Sequence, residues 1–161
     1  MLSLSSAALQ AFIDENRIQA VILPMDQETP TVPEAARVLG VAPEQILKSL
    51  VFLVKEEPLL VITNGVARVD RRKIAAHLEV GRSRIKFASV DRALDITGFV
   101  VGSMPPFGHL QKMRTLVDSA VTTLGVTFCG GGNVDAMMRI TDDELVRVTS
   151  AEILNLSEDE G

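Results

Sequence analysis

A chain of 161 residues fits one domain, which at that length buries roughly 70% of its unfolded surface. The lone cysteine, Cys129, excludes an internal disulfide; with no positively charged leader, it predicts a soluble, cytoplasmic protein. A net charge of −5, with six Phe and no Trp or Tyr, argues against a long nucleic-acid groove and against wide aromatic platforms for single-stranded bases.

In chain order, Ser5 or Ser6 caps a first helix running to about Arg17, with Leu9, Phe12 and Ile13 on one face. Ala20 to Leu23 is a short strand stopped at Pro24, and Met25 to Pro30 is a loop. Thr31 caps a second helix, with Pro33 in its first turn, Glu34 three residues after the cap and Gly40 at its end. Pro43 to Gln45 adds a helical turn. Ile46 to Val54 is almost wholly apolar and reads as a central strand covered on both faces, interrupted by Lys48. A hairpin through Lys55–Pro58 leads into a strand from Leu59 to Thr63, and Asn64-Gly65 turns the chain.

Asp70 caps a basic helix to Leu78, ended by Gly81. Arg84 to Ala88 is a strand, and Ser89 caps a short helix to about Asp95. Beyond the irregular stretch Gly98 to His109, strands are predicted over Thr115 to Val121, Val126 to Cys129 and Asp135 to Ile140, with a tight turn at Gly130 to Asn133. Thr141 and Glu144 make a capping box for a last helix to about Val148. Hairpins interspersed with helices indicate a mixed α/β sheet, not a doubly wound one, in a single domain over 1–161. The longest uncharged run, Ile96 to Gln111, is too short and too rich in Gly and Pro to span a bilayer.

The charge is unevenly spread. Arg68 to Arg92 holds eight basic and three acidic residues, a local +5 on an otherwise acidic chain. Such a patch suits local contact with phosphates, and Arg71, Arg72 and Lys73 are its densest run. A solvated helix and loop would look the same.

Familiar catalytic sets are missing. Two His (77 and 109) and one Cys exclude a zinc site of the usual spacing, and neither a G-x-S-x-G elbow nor a P-loop occurs. No metal and no cofactor is expected. Lys48 stands out, because an ammonium in an apolar strand either reaches an edge or serves an anionic ligand, here with the Ser49 hydroxyl beside it. So does GFVVGSMPPFGH (98–109), where Gly lets backbone approach a ligand and Pro stiffens the loop. Outward N–H groups on such a loop can hold an oxyanion. His109 is read as a contact and not a general base, His77 as a surface group, and Cys129 as a small core residue.

Three stretches together resemble the YbaK/prolyl-tRNA-synthetase-associated domain family. TVPEAARVLGVAPEQILKSLVFLV (31–54) is similar to its capped helix, Gly turn and strand with Lys in a K-[ST]-L context. RIKFASVDRALDITGFVVGSMPPFGH (84–109) is similar to its helix and G-G-x-x-P-[FI]-G loop, with Ser103 where a second Gly is common. LVDSAV (116–121) and FCGGGNVDAMMRITDDELVRVT (128–149) resemble its Asp-bearing strand, small-residue turn and closing helix.

The resemblance implies a compact α/β domain with a mixed, largely antiparallel curved sheet flanked by helices. It also implies hydrolysis, in trans, of the ester joining a wrong small amino acid (Ala, Ser, Cys or Pro-like) to the 3′-terminal adenosine of tRNA. Lys48 would hold the terminal nucleotide, with Ser49 beside it. Gly102, Ser103, Pro106, Gly108 and His109 would surround the ester, with N–H groups near Gly102 and Ser103 stabilising the oxyanion. Gly130 to Gly132, Gly131 at their centre, would face the same mouth, and Asp118 and Asp135 would supply hydrogen bonds there or hold the loop. The expected partners are the acceptor end of aminoacyl-tRNA and a synthetase on which the domain could dock, with neither DNA nor membrane. Two other readings stay open: a non-catalytic tRNA- or nucleotide-binding module, and a redox or acyl-transfer enzyme using Cys129.

Overall fold

The computed structural model describes residues 3–29 and 31–159; Pro30, the expected end of the first loop, and both extreme ends of the expected 1–161 domain lie outside them. Five helices form where caps and apolar spacing coincide. Helix α1 (Ser6–Glu15) buries Leu9 and Ile13, four apart on one face. Its cap comes from afar and not from Ser5: the Ser6 N–H donates to Asn133 Oδ1 at 3.1 Å, and the Ser6 hydroxyl donates to the Gly131 carbonyl at 2.6 Å. Helix α2 (Val32–Leu39) starts at Thr31, whose hydroxyl accepts from the Glu34 N–H, and stops at left-handed Gly40.

Asp70 caps α3 (Arg71–Leu78), which ends on Glu79 in the left-handed region, two residues before the expected Gly81. Ser89 caps α4 (Val90–Thr97), which outruns its expected end because Thr97 donates its hydroxyl back to the Ala93 carbonyl. In α5 (Asp142–Thr149) only half of the capping box forms. The Thr141 hydroxyl accepts the Glu144 N–H, but the Glu144 carboxylate takes the Gln19 N–H at 2.7 Å and pairs with Arg147.

The strands are β1 (Ala20–Pro24), β2 (Leu47–Val54), β3 (Glu57–Asn64), β4 (Ile85–Phe87), β5 (Arg114–Asp118), β6 (Val126–Gly130), β7 (Ala136–Thr141) and β8 (Glu152–Leu154). They form two sheets. One is antiparallel, in the order β1-β7-β6; the other is mixed, β4-β2-β3-β5-β8, with β5 parallel to both neighbours. The β2–β3 hairpin turns on Lys55 and Glu56, both at positive φ, the geometry that follows strand twist. The expected strand over 115–121 ends at Asp118, where residues 119–123 coil into a 3-10 turn.

The two sheets meet through β2. A single bridge joins Ile46 to Phe128 of β6, and β4 pairs only with Phe52 to Val54. Between these two attachments, Leu47 to Leu50 pair with β3 and with no other strand among the described residues. Half of the strand expected to be central therefore has a free edge, its residues Lys48 to Leu50 are only partly buried, and a cleft opens at that gap. Buried apolar clusters support it on all sides: one around Leu9, Val51, Phe99 and Met138, a second around Phe52, Ile74 and Leu116, a third around Ala35, Ile46 and Met137.

Candidate active site

The cleft has a volume of about 560 Å³. The open half of β2 supplies Lys48 and Ser49, the 98–109 loop supplies Val101, Gly102 and Met104, and β6 and β7 supply Gly130 and Met137. Thr29 and Thr31 close it from the segment before α2. Lys48 is half-buried, and its Nζ donates to the Ala67 carbonyl at 2.9 Å. No carboxylate pairs with it among the described residues, and burial draws its pKa below the usual 10.5. An ammonium so placed gains from any anion that enters. Two hydroxyls add to the demand: Thr29 Oγ1 and Ser49 Oγ are buried without a hydrogen-bond partner among the described residues. A buried unpaired hydroxyl is costly, so each gains from any partner that a small rotation of its side chain toward the cleft brings within reach.

The loop is anchored at its root by Leu110 and Gln111, whose N–H groups donate to the Thr97 and Ile96 carbonyls. Gly102 lies at φ 97°, a conformation that side-chain-bearing residues rarely adopt, and its N–H has no acceptor among the described residues. Ser103 is placed differently from the expectation. It is fully buried; its N–H and hydroxyl both go to the Val100 carbonyl, and its own carbonyl accepts from the Gly132 N–H. It ties the loop to the 130–132 turn and has no N–H left for an oxyanion. Gly130, the first glycine of the turn expected at this mouth, does line the cleft, and a Cβ there would run into the Met104 carbonyl.

Other expected site residues lie elsewhere. Pro106, Gly108 and His109 line a separate cavity of about 370 Å³ with Phe12, Lys112 and Arg147, because the loop turns over after Met104. His109 Nε2 donates to the Pro105 carbonyl at 2.8 Å, and burial lowers its pKa from the ordinary 6.5. Folding therefore favours the neutral ring. That contribution is complete above about pH 6.5 and is lost as pH falls through the depressed folded value. We expect His109→Gln to flatten the acid side of the stability–pH curve in denaturant titrations while leaving turnover in the Lys48 cleft unchanged.

Asp118 is buried at the end of β5, where one oxygen accepts the Leu156 N–H at 2.8 Å and the other the Ser157 hydroxyl at 2.7 Å. It pins the C-terminal segment instead of lining the cleft. Asp118→Ala should lower unfolding free energy by about 2–3 kcal/mol, the scale of charged hydrogen bonds, with turnover per folded molecule unchanged. Gly131 faces α1 through its bond to Ser6, and Asp135 is exposed, with its carbonyl accepting from Met25. Cys129 is fully buried, and its thiol is pushed up to about 12, which leaves no thiolate for redox or acyl transfer at neutral pH.

A second hollow, of about 570 Å³, adjoins the cleft and shares Lys48 with it. Arg68, Arg71, Arg72 and Arg82 line it, together with the carboxylates of Asp70 and Glu158. Arg72 is held on Asp70 at 3.1 Å, and Lys73 is turned away onto Asp159, Asn155 and Ser157. Arg68, Arg71 and Arg82 have no acidic partner among the described residues. Of the expected trio, only Arg71 lacks an acidic partner among the described residues. For Lys73 the signal missed in sequence was long-range, its pairing with the C-terminal segment, whereas Arg72 is spent locally on the helix cap Asp70.

The α/β domain thus sets a lysine that has no carboxylate partner among the described residues in a cleft beside an arginine-bearing hollow, an arrangement that suits an anionic ligand. Among the described residues no group of three His, Cys, Asp or Glu is placed to hold a metal, and no helix is long and apolar enough to cross a membrane. The model of the aminoacyl-tRNA editing domain family matches residues 26–148, and the chain belongs to that family. Its sequence is 33% identical over 107 residues to the proline–tRNA ligase of Kosmotoga olearia, covering 65% of this chain but 18% of the ligase. The chain thus spans about a fifth of the synthetases it matches. It is 26% identical to the uncharacterised protein YwhH of Bacillus subtilis, over 71% of this chain and 72% of that protein. A solved structure of a candidate trans-editing enzyme for prolyl-tRNA synthetase superposes with a TM-score of 0.85 at 28% identity, covering 99% of this chain and 100% of that one.

Proposed function

We propose that the chain is an editing domain, residues 1–161, that acts in trans in the cytoplasm and hydrolyses the ester of mischarged tRNA. The observation that carries this is Lys48: a half-buried ammonium with no carboxylate partner among the described residues, in a cleft beside arginines that likewise have none there. In this reading Lys48 holds a phosphate or ribose oxygen of the 3′ end, and Ser49 and Thr29 bond the amino acid or its water. The pocket floor of Val32, Ala35, Val51 and Met137 suits a small side chain such as that of Ala, Ser, Cys or Pro.

Water adds to the ester carbonyl carbon, the carbonyl oxygen takes negative charge, and the Gly102 N–H donates to it. The tetrahedral species then expels the ribose oxygen. The neighbouring ribose hydroxyl accepts the proton of the attacking water and relays it to the leaving oxygen, giving free amino acid and intact tRNA. The protein positions and excludes, and no side chain is asked to abstract the proton. Family membership supports the reading, as does the likeness to proline–tRNA ligases, one of which would be the synthetase served.

Purified protein incubated with Ala, Ser, Cys and Pro esters of tRNA should release at least one amino acid faster than buffer. Tight tRNA binding with no ester loss would instead establish a non-catalytic module. Arg68, Arg71 and Arg82 replace the 71–73 run as the expected phosphate contacts. Their joint replacement by Ala should raise KM severalfold and reduce the slope of log affinity against log salt by about 2, at about 0.7 per phosphate contact. An unchanged slope would place the tRNA on another face.

A further inference from the structure

Phe87 stands where the cleft and the arginine hollow meet, and with Lys48 and Leu50 it lines both. It is the last residue of β4, an edge strand, and pairs in register with Phe52. The Phe52 ring is fully buried and stacks beneath it, centroids 4.3 Å apart and planes 29° from parallel, so the platform is rigid. The Phe87 ring itself is 50% exposed. Val90 and Val101, both exposed, extend the same apolar rim along the cleft.

Arg71 rests over the ring, its guanidinium carbon 4.7 Å from the centroid. No carboxylate among the described residues holds it there. The ring therefore has a removable cover, and Arg68 and Arg82 stand in the hollow behind it. A flat apolar face next to unpaired arginines matches the two halves of a nucleotide, base and phosphate. An aliphatic ligand would not use the arginines, and a bare anion would not use the ring.

We propose that Phe87 is the platform on which a nucleobase at the 3′ end of the RNA stacks, Arg71 moving from the ring to the adjoining phosphate as the base takes its place. This rests on the reading of the chain as an editing domain for charged tRNA. It revises the expectation drawn from composition: one phenylalanine at the right edge supplies the platform that the absence of Trp and Tyr argued against.

The test is binding of an unacylated acceptor-stem hairpin ending in CCA, followed by fluorescence anisotropy. It is compared with hairpins whose terminal or penultimate nucleotide is abasic. Wild-type protein should bind one abasic hairpin about tenfold more weakly, the scale of one base on an aromatic side chain. Phe87→Ala and Phe87→Leu should each bind the intact hairpin about tenfold more weakly and lose nothing further when that base is removed. Leu keeps apolar packing on Phe52, so agreement of the two variants with unchanged melting separates stacking from misfolding. Arg71→Ala should weaken every hairpin alike and keep the dependence on the base. Additive losses in Phe87→Ala, or wild-type indifference to both abasic ends, overturn the proposal. Ester release measured on the same preparations keeps the two readings apart. Base coupling without deacylation sinks the editing reading and leaves the platform, deacylation without base coupling does the reverse, and the absence of both hairpin binding and deacylation sinks both.

Discussion

Lys48→Ala should fold with undiminished cooperativity and lose about a hundredfold in kcat/KM on mischarged tRNA. At 1.4 kcal/mol per tenfold, that is about 3 kcal/mol, a scale usual for removing one partner of a desolvated charge contact. Stability should barely change. The variant gives up one hydrogen bond to the Ala67 carbonyl but is also relieved of a desolvated ammonium with no counter-charge among the described residues. Lys48→Met, which keeps most of the stem, should behave like Ala; recovery of activity in Met would mean that the stem's packing matters and the charge does not. Steady-state deacylation together with a urea melt decides it. A well-folded Lys48→Ala protein with wild-type turnover would remove the residue on which the functional reading rests.

Gly102→Ala should lower kcat by about a hundredfold or more, the loss seen when an oxyanion donor is misplaced. The cause is local. At φ 97° a Cβ is strained by about 1–3 kcal/mol, and the backbone relieves this by rotating, which re-aims the N–H at the cleft wall. The loop cannot absorb the shift toward its C-terminal side, because Ser103 is tied at N–H, hydroxyl and carbonyl and Gly130 packs against Met104 with no room for a Cβ. Unfolding free energy should fall by no more than the strain itself. Full activity in Gly102→Ala would show that the ester does not sit on this loop, even if Lys48→Ala is inactive.

Much of the fold was legible because the deciding interactions are local. Thr31, Asp70, Ser89 and Thr141 each accept an N–H two or three residues ahead, and such caps leave a direct mark in the chain. Strand β8 left none: three residues, Glu152–Leu154, are too few to show a period, and they pair with β5 thirty-six residues away. The end of α3 at Glu79 was hidden for another reason, since a glutamate in the left-handed region is uncommon and Gly81 nearby was the better cue. The site was half legible. Lys48 and Gly102 announced themselves, one as a charge in an apolar strand and one as a glycine in an irregular loop.

The amino-acid sequence by itself determined the N-terminal caps of α2 to α5, the hairpins, the mixed α/β character and the family to which the chain belongs. These follow from residue type at short spacing, where entropy leaves few alternatives. Only the tertiary structure decided which of the expected residues share a cavity. The loop 98–109 turns over after Met104, so Gly102 meets Lys48 while Pro106, Gly108 and His109 line the other pocket. Asp118 is spent on Leu156 and Ser157, and Lys73 on the C-terminal segment, while Arg68, Arg71 and Arg82 have no acidic partner among the described residues. A charged side chain serves whatever partner the fold brings within about 3 Å of it, and contacts across dozens of residues carry no periodic trace in sequence.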